Sequence, residues 1–196
     1  RADVVAIGPG LGLDARARQV VDHVVLARAG TIVVDADALT HFAGRAGDLA
    51  RAKGALVLTP HPGELGRLIG VGAADVERDR FGALKKAVEV THAVVLLKGA
   101  RTLIGVPGQL PVVCTAGTPA LATAGSGDVL TGILSAFARS IEPRFAAMAA
   151  AFVHGLAAER WVEQTGADRG LIAHEIADAV PSVLALLSGS LPAMPE

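Results

Sequence analysis

Ala55-Leu56-Val57-Leu58-Thr59-Pro60-His61-Pro62-Gly63-Glu64-Leu65 decides the fold of this chain. Ala55–Leu58 is a continuous apolar run without polar alternation, the mark of a strand buried on both faces. Two prolines then hold the backbone extended and fix where His61 points. From Gly63 the spacing predicts a helix to about Ile69. A buried strand, a short polar exit and a helix make one βα step. The step recurs in both directions along the chain. Asp3–Ile7, Thr31–Asp35 and Ala93–Leu97 read as further buried strands, and Asp14–Ala29 and Ala74–His92 as helices. This alternation predicts an α/β fold with a mostly parallel sheet, right-handed crossovers and flanking helices. Arg101–Val106 and Leu110–Cys114, joined around Pro107-Gly108, predict an antiparallel hairpin at the C-terminal side of the sheet. Helices over Gly127–Arg139, Pro143–Thr165 and His174–Leu187 close the chain. Pro143 suits a helix start, and Pro181 is expected to kink or split the last helix.

The 196 residues are 52% hydrophobic and 19% charged, enough for one domain over 1–196 with a sizeable core. A formal net charge of -1 gives no electrostatic reason to expect nucleic acid or an anionic membrane as partner. Aromatic residues make up only 3%, which argues against base-stacking platforms. The single Cys114 excludes an internal disulfide framework and fits a reducing cytoplasm. No apolar stretch reaches the length of a membrane-spanning helix. The chain opens on Arg1-Ala2-Asp3 without an initiator Met, so we expect an N-terminally truncated domain with its N-terminal part missing.

In a parallel sheet, ligands collect at the carboxyl ends of the strands. The strand exits here are Gly8-Pro9-Gly10-Leu11-Gly12, Asp35-Ala36-Asp37, Thr59–Glu64 and Lys98-Gly99-Ala100-Arg101-Thr102. The first lacks both dinucleotide and P-loop spacing, and reads as a tight turn or as close backbone approach to a ligand. Asp37 is expected to cap a helix at Ala38–Phe42; Asp35 is left open. His61 has no second ligand at zinc spacing. Glu64 serves the following helix dipole or the water shell of Mg²⁺. Lys98–Thr102 reads as a hairpin-like turn with solvated charges, or as a loop whose amides and cations hold a nucleotide.

One further stretch carries the chemistry: Thr123-Ala124-Gly125-Ser126-Gly127-Asp128-Val129-Leu130-Thr131-Gly132. Its glycines let backbone N–H groups face an anion at a helix start, where the dipole favours negative charge. Asp128 would be repelled by a phosphate unless it takes a proton from a hydroxyl attacking phosphorus. The competing reading, an ordinary helix cap, leaves the glycines on either side without a role.

Taken in order, the quoted exits and the Ala124–Gly132 stretch resemble the ADP-dependent NAD(P)H-hydrate dehydratases of the ribokinase-like superfamily. That family also occurs as the C-terminal half of a bifunctional repair protein carrying an epimerase. The resemblance spans residues 1 to about 180, and Thr59-Pro60-His61-Pro62-Gly63-Glu64 is its most specific piece. It implies a ribokinase-like three-layer sandwich and a metabolite-repair lyase. This enzyme would dehydrate hydrated NADH or NADPH by phosphorylating the ring hydroxyl and eliminating phosphate. It implies ADP (or ATP) as co-substrate with Mg²⁺, and a homotetramer working with or fused to an epimerase. By residue, it implies substrate contacts from Gly10, His61 and Asp128, with Asp128 catalytic. Lys98, Gly99, Ala100, Arg101 and Thr102 would line the nucleotide site, Gly125, Ser126 and Gly127 would meet its phosphates, and Glu64 would reach Mg²⁺ through water. Thr118, Ala120, Ala124, Ala157 and Glu159 depart from residues common in the family. The alternatives are a ribokinase-like kinase of a thiazole or pyrimidine vitamin precursor, and a catalytically silent nucleotide-binding domain.

Overall fold

The structure, a computed structural model, describes residues 3–189. Residues 1–2 and 190–196 of the expected single domain lie outside the described residues. Among those described, strands β1 (Val4–Ile7), β2 (Thr31–Val34), β3 (Ala55–Leu58), β4 (Val94–Leu97), β5 (Leu103–Gly105) and β6 (Val112–Val113) form one sheet in sequential order. β1 to β4 are parallel, and β4–β5–β6 are antiparallel. The helices are α1 (Ala15–Ala27), α2 (Ala36–Thr40), α3 (Pro62–Ile69), α4 (Ala73–Arg78), α5 (Arg80–Thr91), α6 (Ser126–Phe137), α7 (Pro143–Thr165) and α8 (Ala173–Gly189).

Sequential order has a consequence. Right-handed crossovers that never reverse direction place every connecting helix on the same face. The period-two alternation of the strands then divides the core in two. Ile32, Val34, Leu56, Leu58, Val95 and Leu97 pack with Leu39, Leu65 and Leu84 of the crossover helices. Val33, Val57, Leu96 and Ile104 face the other way, against Leu134, Ala150, Val153 and Ile176 of α6–α8. The result is three layers, with the sheet in the middle. β2, β3 and β4 are buried on both faces as their apolar runs predict. β1 is not: as an outer strand it leaves Val4 and Val5 half-buried and Ala6 exposed.

Other departures have local causes. The helix expected over Ala74–His92 breaks at Asp79, whose backbone (φ −138°, ψ 75°) leaves the helix and whose side chain accepts from Gly82 N–H to start α5. Pro181 does not split the last helix, which runs through it as α8. Asp37 is not the cap of its helix. Asp35 is, and Asp37 lies within the first turn of α2. The hairpin strands are shorter than expected. β5 starts at Leu103 because Gly99 (φ 138°) and Arg101 (φ 58°) curl the preceding loop out of the extended region.

Candidate active site

A cleft of about 650 Å³ opens at the carboxyl ends of the central strands, under the N-terminus of α6. Its walls come from His61, the Lys98–Thr102 loop, the connection Thr115–Thr123, Ser126 and Gly127 of α6, and Ala151, His154 and Gly155 of α7.

Behind the wall at Lys98, an ion-pair network joins three strand exits. Asp35, 1% exposed at the end of β2, accepts from Lys98 Nζ at 2.8 Å and from Thr131 Oγ1 at 2.8 Å. It also accepts from the Ala36 amide at 2.9 Å. Lys98 Nζ lies 3.8 Å from Glu64 Oε2 as well. One ammonium therefore serves two buried carboxylates, which keeps both charges tolerable out of water. Ala36 is held left-handed (φ 48°) beside this network, an unfavourable conformation for a residue with a Cβ. The chain turns there under close pressure from the first exit: a Cβ on Gly8 would lie 1.8 Å from the Asp35 carbonyl oxygen. Gly8 is thus glycine because another backbone occupies the space.

His61 is the N-cap of α3. Its Nδ1 accepts from the amides of Gly63 (3.0 Å) and Glu64 (3.3 Å), while Glu64 Oε2 accepts from His61 N–H at 2.7 Å. This reciprocal box satisfies two otherwise orphaned donors and one returning amide. It commits Nδ1 as acceptor, so the neutral ring carries its proton on Nε2. That atom lies 3.5 Å from Glu64 Oε1.

Gly125 (φ 81°) is the N-cap of α6 and has no side chain to cap it. Ser126 N–H bonds Thr123 O and Val129 N–H bonds Gly125 O. The intervening amides of Gly127 and Asp128 find no acceptor among the described residues. Two donors at a helix start, with Lys98 Nζ 3.5 Å from the place a Gly127 Cβ would occupy, make an anion seat. Asp128 is exposed in this first turn, next to the cleft-lining Gly127 but not itself in the wall. Gly10 (φ 64°) and Gly125 also stand outside the wall. The Gly10 loop is tied to α2 instead, Gly12 N–H donating to Asp37 Oδ2 at 2.8 Å and Gly12 O lying 3.0 Å from His41 Nε2.

Three residues that the sequence reading quoted without giving them a site role support or line the cleft. Thr131 reaches Asp35 across 96 positions of sequence. His154, buried on α7, donates from Nε2 to Ser126 O at 3.0 Å and lies 3.2 Å from Ser126 Oγ. Burial pushes its imidazole down to about 4; the Ser126 carbonyl opposes this and the Lys98 charge adds to it. Glu159 accepts from the Gly117 amide at 2.7 Å and anchors the far wall. A lone histidine in the apolar run Ala150–Ala158 was the available signal for His154; Thr131 was visible as part of the Gly-rich stretch, but its bond to Asp35 was not. Thr118, one of the family departures, caps a 3₁₀ turn through the Ala120 amide at 3.2 Å and lines the cleft. Cys114 is buried, donates to Ala116 O at 3.7 Å, and burial raises its thiol. Among the described residues no three His, Cys, Asp or Glu side chains form a metal cluster, and no helix is long and apolar enough to cross a membrane.

The family model of the NAD(P)H-hydrate dehydratases matches residues 1–182. The chain belongs to the NAD(P)H-hydrate dehydratase family. It is 43% identical over 183 residues to the bifunctional NAD(P)H-hydrate repair enzyme Nnr of Moorella thermoacetica, covering 93% of this chain and 34% of that protein. The ADP/ATP-dependent NAD(P)H-hydrate dehydratase of Bacillus subtilis, co-crystallised with ATP/Mg²⁺, matches with a TM-score of 0.85 at 34% identity, over 94% of this chain and 64% of that one. A ribokinase-like superfamily protein of Enterococcus faecalis V583 matches with a TM-score of 0.76 at 28% identity, over 94% and 63%. The fold is therefore ribokinase-like, as the resemblance implies. The chain spans about a third of the length of the bifunctional relatives it matches.

Proposed function

We propose that this chain dehydrates hydrated NADH or NADPH at the expense of a nucleotide, ADP in the first instance and ATP in the second. The observation that carries the reading is the seat of uncapped amides at Gly127 and Asp128, with Lys98 beside it, in a member of this family.

Hydroxide is a poor leaving group, so the ring hydroxyl must be converted before it can depart. The nucleotide lies along Lys98–Thr102 with its phosphates toward Gly125–Gly127. The hydrated nicotinamide lies toward His61 and Gly10. Asp128 takes the hydroxyl proton as the oxygen attacks the terminal phosphoryl; a new O–P bond forms and the bond to AMP (from ADP) breaks. The amides of α6 and the Lys98 ammonium face the charge on the transferring group. Phosphate then leaves with the ring C–O electrons, a proton departs from the neighbouring carbon, and the ring double bond is restored.

Mg²⁺ fits this site as a hydrated ion brought by the nucleotide, because such an ion needs only one or two carboxylates besides phosphate and water. Glu64 is the carboxylate at hand. Its oxygens already serve the α3 box and Lys98, which suits contact through water. When bound, the ion would offset phosphate charge.

In this reading residues 1–196 form one domain, fused to or working with an epimerase; that the chain matches about a third of relatives named bifunctional repair enzymes supports a second activity beside it. The molecule assembles as a homotetramer in the cytoplasm, with Phe145 and Phe152, exposed on α7, supplying apolar contact area. The test is incubation of the chain with NADH hydrate, Mg²⁺ and ADP or ATP. Absorbance of reduced nicotinamide should return, with stoichiometric AMP or ADP and phosphate. No return with either nucleotide overturns the proposal. Accumulation of a stable phosphomonoester from a thiazole or pyrimidine alcohol would assign a kinase instead. Sedimentation as a monomer at micromolar concentration would reject the tetramer alone.

A further inference from the structure

Arg80 is the first residue of α5, placed there by the helix break at Asp79. Its side chain is 16% exposed and lies behind the Lys98–Thr102 loop, outside the cleft wall. Its guanidinium takes three carbonyls of that loop: Nη1 donates to Ala100 O, and Nη2 to Leu97 O and Lys98 O at 3.3 Å each. The peptide bonds are trans, so each N–H points opposite to the C=O of the same peptide unit. The first of the three shows the rule at work. Leu97 O faces Arg80, and the Lys98 N–H of that peptide goes the other way, to Pro60 O at 2.8 Å. The next N–H groups governed in this way are those of Gly99 and Arg101. Neither has an acceptor among the described residues, and both residues line the cleft.

We infer that Arg80 is a positioning residue for the nucleotide site: by drawing the carbonyls of Leu97, Lys98 and Ala100 to the back of the loop, it turns the Gly99 and Arg101 amides into the cleft as donors for the nucleotide's acceptor atoms. The inference rests on the nucleotide reading above for what binds, not for how the loop is shaped. Two features argue that the loop needs such a hold. Gly99 (φ 138°) and Arg101 (φ 58°) both sit in left-handed backbone, which persists in a residue such as Arg101 only where surroundings enforce it. Gly99 and Arg80 are also fitted to each other, since a Cβ on Gly99 would lie 2.9 Å from Arg80 Nη2. A lysine cannot replace the guanidinium, because a single ammonium on a flexible stem does not span three carbonyls in a fixed fork.

The experiment compares the full chain with Arg80→Ala, Arg80→Lys and Gly99→Ala by calorimetric titration with ADP, by steady-state kinetics, and by amide hydrogen exchange over residues 98–102. Losing donors to a charged ligand should raise the ADP dissociation constant roughly tenfold to a hundredfold. KM for ADP should rise with it, and in the two Arg80 variants kcat at saturating ADP and KM for the hydrate stay near wild type. Exchange at the Lys98 amide, held by Pro60 O at 2.8 Å, should quicken in all three variants. Added guanidinium ion should restore ADP affinity to Arg80→Ala and not to the others. Wild-type affinity and wild-type loop exchange in Arg80→Ala would overturn the inference, as would a loss of kcat alone. If wild type itself binds no nucleotide, the functional proposal fails; if wild type binds ADP and Arg80→Ala matches it in affinity and loop exchange, only the role of Arg80 fails.

Discussion

Replacing Lys98 by Met should cost this protein more than an ordinary cleft substitution. The change keeps the stem and removes the ammonium. Asp35 then remains 1% exposed with Thr131 Oγ1 at 2.8 Å and the Ala36 amide at 2.9 Å, and no cation. Breaking a buried pair by removing one partner costs about 3–5 kcal/mol. Two surviving hydrogen bonds, and the 20% exposure of Lys98, place the loss at the lower end, about 3 kcal/mol. For a domain of this size that lowers Tm by about 6–12 °C. Thermal and urea unfolding of the single variant measure it. The double variant Asp35→Asn/Lys98→Met removes the charge at position 35; the new amide oxygen can still accept from the Ala36 N–H, and its NH₂ can donate to Thr131 Oγ1 in place of the bond it accepted. It should regain most of the loss, although it changes one residue more. A Lys98→Met loss under about 1 kcal/mol, or a double variant no more stable than the single, would refute the claim that the ammonium offsets a buried carboxylate.

Three other outcomes follow from the same geometry. Asp128→Asn should bind ADP as wild type and lose about 10²–10⁴-fold in turnover; near-normal turnover would remove Asp128 from the chemistry. His154 has a folded value of about 4 against 6.5 for the free group, so the unfolded chain binds its proton more readily. Its contribution is complete above about pH 6.5 and is lost as pH falls toward about 4, by about 3 kcal/mol; His154→Gln, which can still donate to Ser126 O, should flatten unfolding free energy against pH in that window. Gly155→Ala raises helix propensity in α7 yet places a Cβ 2.6 Å from the Ala116 carbonyl carbon. It should destabilise by about 1–3 kcal/mol and weaken ligand binding, and a stabilised, fully active variant would contradict the close approach of α7 to the cleft wall.

What could be read in advance depended on how local each cause was. Buried strands announce themselves as apolar runs, so β2, β3 and β4 were legible, and with them the exits that build the site. His61 and Glu64 were each singled out by the sequence, but not the capping box that joins them across the four residues His61–Glu64. Their mutual hydrogen bonds give a physical reason for the His-Pro-Gly-Glu order. The Asp35–Asp37 question went the other way. Helix capping alone favoured the second aspartate. What decides it is Lys98 and Thr131, which lie 63 and 96 positions away and which no local pattern could weigh. The break at Asp79 was hidden for a similar reason: the residues from 74 to 92 keep a helical pattern, and only the cap formed by Asp79 on Gly82 separates α4 from α5. Arg80 went unseen with it.

The sequential strand order leaves a mark on how the chain must be made. A ribosome delivers the N-terminal portion first, and by Val113 all six described strands of the sheet have been translated. One side of it already has its helices. The other, with Val33, Val57, Leu96 and Ile104, finds its packing partners among the described residues only when α6–α8 arrive. For that interval the nascent chain carries a greasy plate open to solvent, the kind of surface that holdase chaperones bind and that sticks to its like. Truncations ending near Cys114 should therefore be insoluble even though all six described strands are present, whereas co-expression of the missing helical portion should rescue them.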